Sequence, residues 1–181
     1  MKVCMIVTNG FEEMEAVGTF ALLRRGGLEV DVYSLRGMEA KGRFGLMCAE
    51  LKPFEDFQDD NYAALILPGG PQWQELEASQ GVQDLLKVFS DSKRLIAAIC
   101  ASPTILGRAG LLQGKNYTCY TAMNEDFGGS FHEDYAVTDG QIITAKSAAA
   151  TFDFAFAILR ALLGEETVQA TKADIYYQEN N

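Results

Sequence analysis

Histidine is almost missing from this chain: His132 is the only one among 181 residues. A single imidazole excludes a histidine-rich metal site and leaves at most one imidazole for acid–base work. Long apolar runs are missing too. The longest, Leu95–Ala101, has seven residues, against roughly 18 for a membrane-crossing helix. The start of the chain turns acidic at Glu12, Glu13 and Glu15 after a short apolar run and does not read as a signal peptide. Basic charge is scarce: 15 Lys and Arg against 25 Asp and Glu give a net charge of −10. With no basic cluster, neither nucleic acid nor an anionic membrane is the expected partner. The four cysteines, at 4, 48, 100 and 119, form no CxxC and no zinc-ligand spacing. They are expected to be free thiols in a reducing, cytoplasmic setting, with no metal and no cofactor.

What is present belongs to an ordinary globular protein, 48% apolar and 22% charged, of a size expected for one domain over residues 1–181. Strand and helix patterns alternate. Short β-branched or apolar runs at Lys2–Thr8, Leu28–Leu35, Ala63–Leu67 and Arg94–Ile99 predict buried strands. Helical spacing covers Glu12–Arg25, closed by Gly26-Gly27, then Gln80–Ser90, Ser102–Ala109 and Ala149–Leu163. A last amphipathic helix is expected over Glu165–Tyr177. Shorter strands are expected at Tyr117–Tyr120, Ala136–Thr138 and Ile142–Ala145, the last two joined by a turn at Asp139-Gly140. Residues 36–60, punctuated by Gly37, Gly42 and Gly45, give no clear pattern beyond short antiparallel pieces. Strands separated by helices predict an α/β sandwich, a mostly parallel sheet covered on both faces.

In such a sheet, sites lie beyond the carboxyl ends of the strands. Three ends carry chemistry here. Cys100 ends the strand 94–99 just before a helix, with small neighbours at Ala98 and Ser102. That is the arrangement of a nucleophile elbow, and a helix start behind the sulfur favours thiolate over thiol. The same position also suits a small core residue, and local sequence leaves both open. Glu12 and Glu13 are explained by the dipole of a first helical turn, whereas Glu15, between Met14 and Ala16-Val17-Gly18, is placed to face inward. An ionised Glu15 beside Cys100 opposes the thiolate; a protonated one donates a hydrogen bond to it. Pro68-Gly69-Gly70 is either a plain turn or a concavity of N–H groups able to serve as an oxyanion hole.

At these residues the chain resembles the ThiJ/PfpI superfamily, in its DJ-one-like branch, that of the Parkinson-disease protein deglycase. The resemblance is carried by Asn9-Gly10-Phe11-Glu12-Glu13-Met14-Glu15, Leu67-Pro68-Gly69-Gly70, Ala97-Ala98-Ile99-Cys100-Ala101-Ser102-Pro103, Asp139-Gly140-Gln141-Ile142-Ile143-Thr144 and Phe152-Asp153-Phe154-Ala155. It runs from about residue 2 to about residue 170. It implies a flavodoxin-like three-layer sandwich, a homodimer, Cys100 as the reactive cysteine, Glu15 as the carboxyl beside it, and N–H groups of Gly70 and Ala101 as the oxyanion site next to Gly69. Two features depart from the family pattern. Tyr120, in Tyr117-Thr118-Cys119-Tyr120-Thr121, stands where many members have a histidine, and Lys146-Ser147-Ala148-Ala149-Ala150 replaces a Ser-Arg-Gly-Pro-Gly loop. His132 is out of register with the missing histidine, so a Cys–His dyad and protease activity are not expected.

The resemblance implies action on small reactive carbonyls or glycated substrates, of the glyoxalase or deglycase kind. Cys100 would add to an aldehyde such as methylglyoxal, Glu15 would move the proton between carbons, and the Tyr120 hydroxyl would orient the substrate. The alternative is a non-catalytic stress sensor or chaperone-like protein whose Cys100 is oxidised to a sulfinic acid. An inert metabolite-binding domain is a third reading.

Overall fold

The computed structural model describes residues 1–59 and 62–178. In chain order the elements are β1 (Lys2–Val7), a π-helical turn (Met14–Gly18) leading into α1 (Thr19–Arg25), and β2 (Glu29–Ser34). Then come the short strands β3 (Ala40–Lys41), β4 (Met47–Cys48) and β5 (Lys52–Pro53), followed by β6 (Ala64–Leu67), α2 (Trp73–Ala78) and α3 (Gln80–Asp91). β7 (Leu95–Ile99) and α4 (Pro103–Arg108) precede β8 (Asn116–Tyr117), β9 (Ser130–Phe131), β10 (Ala136–Asp139), β11 (Ile142–Ala145), α5 (Thr151–Leu163) and α6 (Glu165–Asp174).

Seven strands form one sheet in the order β10-β11-β7-β6-β1-β2-β5. Every pairing in it is parallel except β10 with β11, the hairpin turned at Asp139-Gly140. Counting only the long parallel strands, the order is second, first, third, fourth, fifth, which is the doubly wound order of flavodoxin-like folds. The central strands have no polar side: all of β6 and all of β7 are buried, as a sheet with helices on both faces requires. One core layer joins Val3, Met5 and Val7 to Leu22 and Leu23 of α1 and Phe154 and Ile158 of α5. The other joins Cys4, Ile6, Leu65 and Leu67 to Leu76, Leu86, Phe89 and Ile105 of α2, α3 and α4. Alternation along β1 thus sends successive side chains into opposite layers.

Four local departures from the sequence pattern bear on the site. The first helix does not start as an α-helix at residue 12; its first turn is π, over Met14–Gly18. Helix α2 carries no clear apolar stripe and follows a Pro-Gly-Gly-Pro turn that masks its start. The expected strand 117–120 pairs only over Asn116–Tyr117, in a small parallel ribbon with β9, because Tyr120 turns away to bond the elbow. Within 36–60, β3 and β4 form a small antiparallel pair and β5 adds to the edge of the main sheet; Asp60 lies outside the described residues.

Candidate active site

The reversal of strand order between β1 and β6 opens a crevice at their carboxyl ends, and the three chemically suggestive turns meet there. Gly69 sits at the centre. A Cβ on it would lie 2.6 Å from the Cys100 Cβ, 2.6 Å from Glu15 Oε2 and 2.8 Å from the Ile99 carbonyl oxygen. Only a residue without a side chain fits between thiol and carboxyl. Gly70 has φ +89°, and a Cβ there would meet the Gly10 carbonyl oxygen at 2.5 Å and the Glu12 nitrogen at 2.6 Å. Both glycines are therefore demanded by close approach of backbones, and Gly70 by its left-handed conformation as well.

Cys100 is also left-handed, at φ +67°, a conformation that costs a non-glycine residue on the order of 1–3 kcal/mol. Two backbone hydrogen bonds hold it: its N–H donates to the Ala145 carbonyl (2.9 Å) and its carbonyl accepts from the Tyr120 N–H (2.7 Å). The elbow is real, and the thiol it presents is half-buried. Burial and then the charge and hydrogen bonding of Glu15 push the thiol up to about 12, while N–H groups of Gly70 and Ala101 directed at the sulfur pull it down. The expected depression by a helix start is thus opposed by burial and by Glu15. Helix α4 is a six-residue piece beginning at Pro103, and two local N–H groups, outweighed by desolvation and a neighbouring carboxylate, are what reach the sulfur.

Glu15 is fully buried. Its Oε2 accepts the Gly69 N–H at 2.9 Å, and its Oε1 has no hydrogen-bond partner. The Cys100 thiol lies close enough to act on the carboxyl without a well-aligned bond. Burial raises the Glu15 pKa to about 7; Glu12 adds to the rise, and Cys100, the Gly69 N–H and Arg43 oppose it. At neutral pH this side chain is therefore both proton acceptor and donor. The π turn aims it inward, an arrangement often found at functional sites. The turn is held by Glu12, whose Oε2 accepts the Glu15 N–H at 2.8 Å. Glu12 and Glu13 thus do more than complement a dipole. Glu12 is buried, and Glu13 Oε1 accepts the Phe44 N–H at 2.7 Å, tying down the loop between β3 and β4.

The structure brings together Cys100, Glu15, Gly69, Gly70 and Ala101. Tyr120 joins them through its backbone, while its side chain is about half exposed (47%). His132 is at the surface, bonded to Asn116 Oδ1 at 2.9 Å, and Lys146 pairs with Glu133. Cys4 and Cys119 are buried on the α3 and α4 face. Cys48 lines an apolar cavity of about 290 Å³ with Met5, Val7, Phe11 and Phe20, which neither Cys100 nor Glu15 borders. Sequence patterns gave no sign of Arg43 or of the buried Gln72. Among the described residues no group of three or more His, Cys, Asp or Glu side chains is arranged to hold a metal ion.

Comparison with known proteins places this geometry among others. The family model described as the DJ-1/PfpI family matches residues 1–161. The Parkinson disease protein 7 homolog of Danio rerio is 31% identical over 98% of this chain and 98% of its own length. The crystal structure of Drosophila melanogaster DJ-1beta superposes with a TM-score of 0.92 at 30% identity, covering 98% of both chains. The solved structure of oxidized Toxoplasma gondii DJ-1 gives 0.91 at 28% identity, over 98% of this chain and 99% of that one.

Proposed function

The chain belongs to the DJ-1/PfpI family, and from that premise we propose that it is an enzyme acting on small reactive carbonyls through Cys100 and Glu15. The observation that carries this reading is the junction at Gly69, where a Cβ would lie 2.6 Å from both the Cys100 Cβ and Glu15 Oε2, so that a thiol and a buried carboxyl meet across bare backbone; burial raises the proton affinity of both. Standing thiolate is scarce in such a pair. The thiol becomes a nucleophile when the adjacent carboxylate takes its proton during attack, which is general-base chemistry.

With methylglyoxal, Glu15 accepts the thiol proton as sulfur bonds to the aldehyde carbon. The carbonyl π pair moves to oxygen, beside the N–H groups of Gly70 and Ala101, and Glu15 returns its proton to that oxygen, giving a hemithioacetal and a carboxylate again. Glu15 then removes the proton from the former aldehyde carbon and delivers it to the neighbouring carbon, while the hydroxyl proton passes to the oxygen of that neighbouring carbon. The result is a thioester of lactate, which water cleaves to lactate and free thiol. The sum is methylglyoxal plus water giving lactate, with no oxidant or reductant. The Tyr120 hydroxyl, at the exposed rim, orients the substrate or the glycated group. The test is a panel of α-oxoaldehydes and glycated substrates on reduced wild type and Cys100→Ser. Turnover by wild type alone supports the proposal; equal turnover by both overturns it.

A second reading, an oxidative sensor, is favoured by the same two N–H groups, which would receive sulfinate oxygens, with protonated Glu15 as a third donor. Mass spectrometry after mild peroxide tests it: oxidation confined to Cys100 supports a sensor, and oxidation spread over all four cysteines opposes it. We place a second copy of the chain over Met14, Val17, Phe44 and Met47, large apolar side chains all more than 40% exposed on the π turn and the β3–β4 hairpin. Light scattering of wild type and Phe44→Glu checks this, with a dimer expected for the former and a monomer for the latter. All four cysteines are free, in keeping with the cytoplasmic setting proposed, and no helix among the described residues is long and apolar enough to cross a membrane.

A further inference from the structure

One peptide group connects the carboxyl of the site to two side chains that touch neither reacting atom. The Pro68–Gly69 peptide presents its N–H to Glu15 Oε2 at 2.9 Å. Its carbonyl, that of Pro68, accepts two side-chain donors: Gln72 Nε2 at 2.8 Å and Ser102 Oγ at 2.7 Å. Both donors are almost wholly inside, Gln72 at 1% exposure and Ser102 at 0%. Gln72 is itself fixed at its other end, where Oε1 accepts the Thr8 N–H at 2.7 Å, and its backbone N–H donates to the Gly10 carbonyl at 3.3 Å. It therefore ties the end of β1 to the end of β6, while Ser102 ties the elbow to the same carbonyl. All three strand ends of the site are registered on the Pro68 oxygen.

Hydrogen bonds in a chain polarise one another. Two donors on a carbonyl draw electron density from its own N–H and make that N–H a stronger donor. They also fix the plane of the peptide, and with it the direction from which Glu15 Oε2 is held. Oε1 has no hydrogen-bond partner, so the direction of the carboxyl rests on the Gly69 N–H.

We propose that Gln72 and Ser102 are positioning residues that act through the Pro68–Gly69 peptide to strengthen and aim the Gly69 N–H at Glu15, and so set that carboxyl's proton affinity. The proposal rests on the reading of Glu15 as the proton carrier. The groups facing Glu15 are few and named: Glu12 on its own turn, Arg43 on the β3–β4 hairpin, Cys100 at the elbow, and the Gly69 N–H. Since that N–H lowers the Glu15 pKa, weakening it must raise the protonation midpoint.

The experiment is an infrared titration of the full chain, following the carbonyl stretch of protonated Glu15, assigned by its absence in Glu15→Gln. Ser102→Ala removes one donor, Gln72→Met both side-chain bonds of Gln72, and Ser102→Thr keeps the hydroxyl. The expected midpoint rises by about half a unit in Ser102→Ala, about threefold in the ionisation constant. It rises further in the double variant and returns in Ser102→Thr. A folded Ser102→Ala protein with an unmoved midpoint overturns the proposal, as does a shift that persists in Ser102→Thr. If Gln72→Met does not fold, Ser102→Ala, which deletes a single oxygen, decides alone. No turnover is needed, so the two failures separate. A shifted midpoint in a protein inert toward aldehydes keeps the positioning role and removes the carbonyl chemistry, and turnover with an unmoved midpoint does the reverse.

Discussion

Cys4 lies within β1 and Cys100 just beyond β7, parallel strands two apart in one sheet, and burial raises both thiols far above an ordinary cysteine. Cys4 is inside β1, with regular backbone, and its thiol donates to the Ala64 carbonyl at 3.5 Å. Cys100 is one residue past the end of β7, strained to φ +67°, with two N–H groups on its sulfur and a carboxyl beside it. Burial alone makes a thiol inert. What separates the two is the turn: it leaves Cys100 half-buried, brings N–H groups to bear on its sulfur and sets beside it a carboxyl raised to about 7.

The sharpest break to that comparison removes the base. Glu15→Gln is expected to lower aldehyde turnover by about 100-fold to 1,000-fold, in the range of general acid–base contributions. Under the same substitution Cys100 should alkylate with iodoacetamide about tenfold more slowly near neutral pH, because the base that takes the thiol proton during attack is gone. Faster alkylation would make the Glu15 charge an obstacle to the thiolate and remove its role as base. In wild type, Cys100 should label at least about 100-fold faster than Cys4, whose sulfur is sealed in the core. Equal labelling in the native state would erase the distinction between them.

Stability gives the next largest effects. A carboxyl whose pKa rises from 4.5 to about 7 on folding contributes stability that is fully present below pH 4.5 and lost as pH climbs through 7. Glu15→Gln should therefore be more stable than wild type at pH 8, by on the order of 3 kcal/mol, with the gap closing toward pH 4 in urea unfolding. Gly70→Ala should cost about 3 kcal/mol or more, from its left-handed φ together with backbone contacts at 2.5 Å. Gly27→Ala, at φ +91° with open space around it, should cost only about 1–2 kcal/mol; calorimetry compares the two. The smallest effect is expected at Tyr120, where Phe keeps the backbone bond to Cys100 and should lower turnover by no more than about threefold. A loss as large as that of Glu15→Gln would make the hydroxyl a participant in the chemistry.

Much of this was legible in sequence, where a residue's local setting determines its role. The fully apolar runs at 64–67 and 95–99 announce strands covered on both faces, and the glycines at 69 and 70 announce a close approach. The elbow shows in the change from strand to helix around Cys100. What stayed hidden depends on contacts between distant segments. The π turn differs from an α turn only in backbone register, which the pattern 12–25 does not encode. Gln72 reads as a loop amide until Thr8 and Pro68 come to its two ends. Burial of the thiol and the charge of Glu15, 85 positions away in sequence, work against the helix start at Cys100, and neither shows in the local sequence.

The central claim, that a thiol and a carboxyl suffice here without an imidazole, is tested most directly by lactate formation from methylglyoxal. The comparison is between reduced wild type and Cys100→Ser, with the oxidation state of Cys100 confirmed by mass spectrometry beforehand. The account predicts lactate from the wild-type protein and a fall of at least about 1,000-fold in Cys100→Ser. Lactate production undiminished in Cys100→Ser would contradict it.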